Sequence, residues 1–117
     1  MSAFDQAQAG PERRRYVRYE LDARVELQAG GRRTTYQTED LGAGGCRITV
    51  AQPLEKGAEV AIRLSAPASP VVVTGTATVA WASRTEPFRV GLQFSDEVAE
   101  QAIGFIHSVL GSVDIHA

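Results

Sequence analysis

The sequence predicts a mainly β fold: a six-stranded antiparallel β-barrel with one C-terminal α-helix. Three observations carry that reading. Short runs of alternating apolar and polar residues recur between Tyr19 and Phe94, each bounded by Gly or Pro, which is how half-buried strands joined by tight turns read. The apolar period then changes once, after Ser95, from that of a strand to that of a helix. A chain of 117 residues is long enough for one core and too short for two comfortable ones.

The first alternation places Tyr19, Leu21, Ala23, Val25 and Leu27 on one face and Glu20, Asp22, Arg24, Glu26 and Gln28 on the other. Gly30-Gly31 makes a hairpin turn, and Arg32 to Glu39 form the returning strand. The pattern breaks over Gly42 to Gly45 and resumes with Cys46, Ile48 and Val50 against Arg47 and Thr49. Val60, Ile62 and Leu64 follow a loop bounded by Pro53 and Gly57, and Pro67 and Pro70 end that strand. Residues 71–82 form the longest strand, with Val71, Val73, Ala77, Val79 and Trp81 sharing a face, and Val90, Leu92 and Phe94 mark the last. Val98, Ala102, Phe105, Ile106, Val109 and Leu110 fall at helical spacing, with Ser95 or Asp96 to cap the start and Gly111 to end it. Such an order implies a barrel whose helix covers one opening.

The domain layout follows: a flexible N-terminal segment over residues 1–11, the barrel with its helix over 12–111, and a tail over 112–117. One cysteine, Cys46, excludes an internal disulfide and a cysteine-cluster metal site, and its place at the start of an apolar face makes it core. No apolar run approaches the ~20 residues of a membrane span, and the first ten residues lack the charged start and apolar stretch of a signal peptide. The expected location is the cytoplasm, without membrane insertion.

Catalysis finds no support. His107 lies near the end of the predicted helix, His116 is in the tail, and no nucleophile–base or phosphate-loop spacing occurs. Glu39 and Asp40 are adjacent, and neighbouring strand residues point to opposite faces. Tyr36 and Trp81 stand alone rather than as a row of base-stacking aromatics, so a nucleic-acid surface is not expected; both read as core or cover residues. No enzyme, no cofactor and no nucleic-acid partner is the resulting expectation.

What remains is a basic cluster. Arg13, Arg14, Arg15 and Arg18 place four arginines in six residues, and seven of the twelve basic residues fall between Arg13 and Arg33, although the net charge is −2. A guanidinium offers a planar fork of donors that matches phosphate oxygens and guanine acceptors. A field so local suits a small anionic ligand better than a long polyanion.

Arg14-Arg15-Tyr16-Val17-Arg18 reads R-x-x-x-R, and Asp40-Leu41-Gly42-Ala43-Gly44-Gly45 follows the spacing D-x-S-x-x-G with glycine in the serine place. With a late strand of Val90-Gly91-Leu92-Gln93-Phe94 type, these pieces over about residues 12–110 make the chain resemble the PilZ domain family, split barrels that serve as receptors for the bacterial second messenger cyclic di-GMP. The resemblance implies that Arg14 and Arg18 clamp phosphate and guanine acceptor edges, that Arg13 and Arg15 add field or a stacking plane, and that Asp40 accepts from guanine N–H groups. It assigns the turn Gly42, Gly44 and Gly45 to the same site, with Gly45 letting the backbone pass close to the ligand. A receptor without an output domain signals through a protein partner.

The departure is Gly42. A missing hydroxyl removes one hydrogen bond, about 0.5–1.5 kcal/mol, so Gly42→Ser is expected to tighten ligand binding; the alternative, if Gly42 holds a positive φ, is that serine strains the turn. The alternative function is a PilZ-like adaptor that binds proteins and no nucleotide. Residues 1–18 are further expected to be mobile without ligand and ordered with it.

Overall fold

The computed structural model describes residues 17–114. The expected flexible segment 1–11 and the arginines Arg13, Arg14 and Arg15 lie outside the described residues. Within them are seven strands and one helix: β1 (Arg24–Ala29), β2 (Arg32–Gln37), β3 (Asp40–Gly42), β4 (Gly45–Val50), β5 (Glu59–Ala66), β6 (Ser69–Ala82), β7 (Phe88–Phe94) and α1 (Asp96–Asp114). They form one sheet in the order β2-β1-β5-β6-β7-β4-β3, every pair antiparallel.

The connection between the two ends of that sheet explains its shape. β2 stops at Gln37 and β3 starts at Asp40, so three peptide steps of about 11 Å must join the outermost strands. Flat, the seven strands would hold those edges roughly 29 Å apart. The sheet therefore curls into a half-barrel, and the link is held where Thr38 N–H donates to the Ala23 carbonyl (3.0 Å) and Glu39 N–H to the Arg47 carbonyl (2.7 Å). Thr38, one of two buried polar residues among those described, also aims its hydroxyl at Ala23 O.

The alternating positions read from the sequence line the concave face. Val25, Leu27, Ile48, Leu64, Val73, Val79 and Val90 are buried there, and Val98, Ala102, Phe105, Ile106 and Val109 of α1 close over them. Ser95 caps α1: its carbonyl accepts from Ala99 N–H at 2.8 Å and its hydroxyl from Val98 N–H at 3.3 Å. The helix does not stop at Gly111. That glycine is not among those with positive φ, so it remains helical and α1 runs on to Asp114.

Two further differences from the sequence pattern bear on the surface beside β3. Residues 19–23 alternate like a strand, yet β1 begins only at Arg24 and Tyr19 makes an isolated bridge to Leu41. The pattern break around Gly42 instead holds the extra strand β3, a hairpin partner of β4. Its three residues are all buried, so no apolar–polar alternation marked it.

Cys46 is core, as its position implied. Burial, with the nearby Asp40 carboxylate, raises its thiol from the ordinary 9.0 to about 12 against a smaller lowering by Arg18. A raised thiol pKa favours the folded state fully below the unfolded value near 9.0, and that contribution is lost as pH climbs towards 12. The folded protein at pH 8 is expected to resist iodoacetamide at Cys46 and to react only as fast as it unfolds. Alkylation under native conditions at the rate seen in denaturant would contradict the burial.

Candidate ligand-binding site

The segment before β1 lies along the free edge of β3 as a strap. Tyr19 N–H donates to Leu41 O and Leu41 N–H to Tyr19 O, both at 2.8 Å. This places Arg18 beside the start of β3, where its Nη1 stands 2.6 Å from Asp40 Oδ1. The other carboxylate oxygen is held from the opposite side: Arg47 Nη2 is 2.7 Å from Asp40 Oδ2. The Asp40 side chain is 12% exposed, against 52% for Arg18 and 41% for Arg47. Taking a carboxylate that far out of water is costly unless opposite charge is paired with it, whereas the half-exposed arginines gain little from the pairing themselves.

Glu39 joins the same cluster. It precedes β3 rather than lying in it, so strand alternation does not separate it from Asp40, contrary to the sequence expectation. Both acids reach Arg47, whose Nε is 3.6 Å from Glu39 Oε1 and is buried without a hydrogen-bond partner. Arg89 of β7 stands 3.8 Å from Glu39 Oε1, and the Thr49 hydroxyl donates to Glu39 Oε2. Among the described residues no group of His, Cys, Asp or Glu is arranged to hold a metal ion.

The register extends this cluster across the outer face. Asp40 lies opposite Arg47, Arg47 opposite Gly91, and Gly91 opposite Trp81. Trp81 was expected to share the face of Val79. The β6–β7 register shifts between Val79 and Trp81, and such a bulge exchanges inward and outward positions. Ala82 consequently packs towards the core while Trp81 turns out, 43% exposed. Its indole covers Gly91, where a Cβ would meet Trp81 Nε1 at 2.1 Å. One row thus carries a carboxylate, a guanidinium and an aromatic ring.

The turn glycines have separate roles. Gly42 has no positive φ, which removes the strained-turn expectation. It is buried under the strap, and a Cβ there would lie 2.8 Å from Val17 O. Gly45 is also buried, and its Cβ would fall 2.0 Å from Leu92 O. Its missing side chain is required by the neighbouring strand β7, a demand independent of any ligand. Gly44, at the β3–β4 turn, accepts at its carbonyl from Phe94 N–H at 2.9 Å. Arg18, Asp40 and Gly42 are therefore brought together, with Gly44 and Gly45 behind them in the hairpin. Val17 and Arg18, the end of the segment expected to order with ligand, are seated on β3, and residues 1–16 lie outside the described residues.

The PilZ domain family model matches residues 12–110, a span that includes both motifs and every strand. The chain belongs to the PilZ domain family. No curated protein sequence matches it. Solved structures similar to it include the PilZ domain with c-di-GMP of YcgR from Escherichia coli, at 18% identity and a TM-score of 0.66, covering 86% of this chain and 94% of that one. The Bacillus subtilis inhibitor of motility MotI/DgrA is similar at 14% identity and a TM-score of 0.66, covering 85% of this chain and 51% of that one. YcgR of Escherichia coli in complex with c-di-GMP matches at 20% identity and a TM-score of 0.66, covering 89% and 49%. The present chain thus spans about half the length of these last two. At such identities the likeness establishes the PilZ fold, a curled antiparallel sheet with a C-terminal helix.

Two surface residues escaped the sequence reading of this PilZ domain, Arg47 and Trp81. Arg47 was legible as outward-facing, because it alternates with Cys46 and Ile48. That it meets Asp40 depends on the β3–β4 turn falling at Ala43-Gly44. Trp81 depends on the bulge, which no residue type announced.

Proposed function

We propose that this PilZ domain is a cytoplasmic receptor for cyclic di-GMP that signals through a protein partner. The observation that carries the reading is the meeting of Arg18 and Asp40 from the two separated motifs at 2.6 Å on the outer face. The ligand has two phosphates and two guanines. Arg18, on a strap outside any strand, turns from Asp40 to a phosphate or a guanine acceptor edge, and Asp40 then accepts from guanine N–H donors. Trp81 offers an exposed ring face on which a base stacks. Arg13, Arg14 and Arg15, which precede Arg18 in the sequence and lie outside the described residues, supply further positive charge.

Calorimetric titration of the purified protein with cyclic di-GMP tests this. Arg18→Ala is expected to weaken binding by about 2 kcal/mol, the scale for removing one partner of a charged hydrogen bond. The chain has one tryptophan, so quenching of its fluorescence on titration reports independently on Trp81. Tight binding indifferent to Arg18→Ala would put the site elsewhere. A second reading, a nucleotide-independent adaptor, is favoured by Gly42: the family hydroxyl is absent and the Val17 carbonyl occupies its approach. No heat from the wild-type protein would select that reading.

A further inference from the structure

The Watson–Crick edge of guanine presents an acceptor followed by two donors: O6, N1–H and the 2-amino group. Adenine offers a donor at N6 and an acceptor at N1 instead. A protein surface that selects guanine at this edge needs a carboxylate for the two donors and a hydrogen-bond donor directly beside it for O6. The structure contains that pair. Asp40 and Arg47 are cross-strand neighbours on β3 and β4, joined Oδ2 to Nη2 at 2.7 Å, and both face outwards beside the strap.

The two arginines on Asp40 are not equivalent. Arg18 lies on the strap outside the sheet, so it can leave for another anion. Arg47 is in β4, laddered to β3 on one side and β7 on the other, so its backbone is fixed. Its contact with Asp40 uses one amino group. Its Nε is buried towards Glu39, so with 41% of the side chain exposed the Nη1 amino group is the donor left for an acceptor next to the carboxylate. The position over Gly91, opposite Arg47 on β7, is filled by the Trp81 indole, so the aromatic ring is the neighbour of the Arg47 guanidinium on that side.

We infer that Arg47 is a base-specificity residue of this site, donating to guanine O6 while Asp40 accepts from N1–H and the 2-amino group. The inference rests on the receptor reading and adds a residue outside both arginine and aspartate motifs. Arg47 is also the fixed partner that keeps the Asp40 carboxylate in place when Arg18 departs. An adenine base at the same position would set its N6 amino group against a guanidinium, donor against donor.

The test compares affinities for cyclic di-GMP and cyclic di-AMP in the wild-type protein, Arg47→Met and Arg47→Gln, with melting curves for each. Methionine fills the space without a donor, and glutamine keeps an amide donor without the charge. The preference for cyclic di-GMP over cyclic di-AMP is expected to fall about tenfold in Arg47→Met, the scale of discrimination by a good polar base contact. Arg47→Gln is expected to retain most of it. If the methionine variant does not fold, Arg47→Val takes its place as a donor-free, strand-favouring residue. Equal weakening towards both nucleotides would overturn the inference, because it would show that Arg47 contributes only charge or support. Wild-type protein that binds neither nucleotide would overturn the receptor reading, and this assignment with it.

Discussion

Gly45→Ala is expected to destabilise the domain by about 3 kcal/mol, the upper part of the usual range for overpacking a site that cannot yield. The added Cβ would stand 2.0 Å from the Leu92 carbonyl oxygen and 3.1 Å from its carbon. Both obstacles are backbone, and β4 cannot retreat: it is laddered to β7 on that side and to β3 on the other. For a domain of this size the loss corresponds to roughly 10–20 °C in melting temperature. Urea unfolding with an unchanged slope would assign the effect to stability alone. Gly104→Ala is the control, since nothing lies within 4 Å of its Cβ position on the exposed face of α1 and alanine is the better helix former. If Gly45→Ala melted with the wild type, the close passage of β4 and β7 would be wrong.

Gly42→Ser carries the second large effect, and its direction reverses the one the sequence favoured. Restoring the family hydroxyl was expected to tighten binding. In the folded chain the serine Cβ would lie 2.8 Å from Val17 O and 3.6 Å from Arg18 Cγ, so the strap must lift before any hydroxyl can be used. Lifting it breaks the two Tyr19–Leu41 hydrogen bonds and draws Arg18 from Asp40. At about 1 kcal/mol for each backbone bond the cost is about 2 kcal/mol. The expected readout is a lower melting temperature, loss of hydrogen-exchange protection at the Tyr19 and Leu41 amides, and no gain in affinity for cyclic di-GMP. Gly42→Ala should lose the same protection, because the Cβ rather than the hydroxyl causes the clash. A serine variant with both amides still protected and tighter binding would show that the strap has room to spare.

These two glycines stand three positions apart in one motif and were assigned to one site by resemblance. The folded chain separates them. Gly45 answers to β7, which lies more than forty residues further along the sequence, and Gly42 answers to the strap that precedes β1. Neither neighbour is local, so neither demand could be read from the run Gly42-Ala43-Gly44-Gly45 itself.

The sequence by itself determined the elements that bury a face. Val25 and Leu27, Ile48 and Val50, Ile62 and Leu64, and Val90 and Leu92 alternate because alternate residues of a strand share a side, and α1 follows from a helical period capped at Ser95. It determined the family too, because the arginine and aspartate motifs are short contiguous strings with fixed spacing. The tertiary structure alone decided which surface side chains meet. Residue type does not encode register, so the bulge that turns Trp81 outwards was hidden, as was the hairpin offset that sets Arg47 against Asp40. The short strand β3 was hidden because it is buried on every residue and shows no alternation. The seating of Arg18 on Asp40 was hidden because the pair lies 22 residues apart in sequence and is brought together by the curl that a two-residue link imposes on the ends of the sheet.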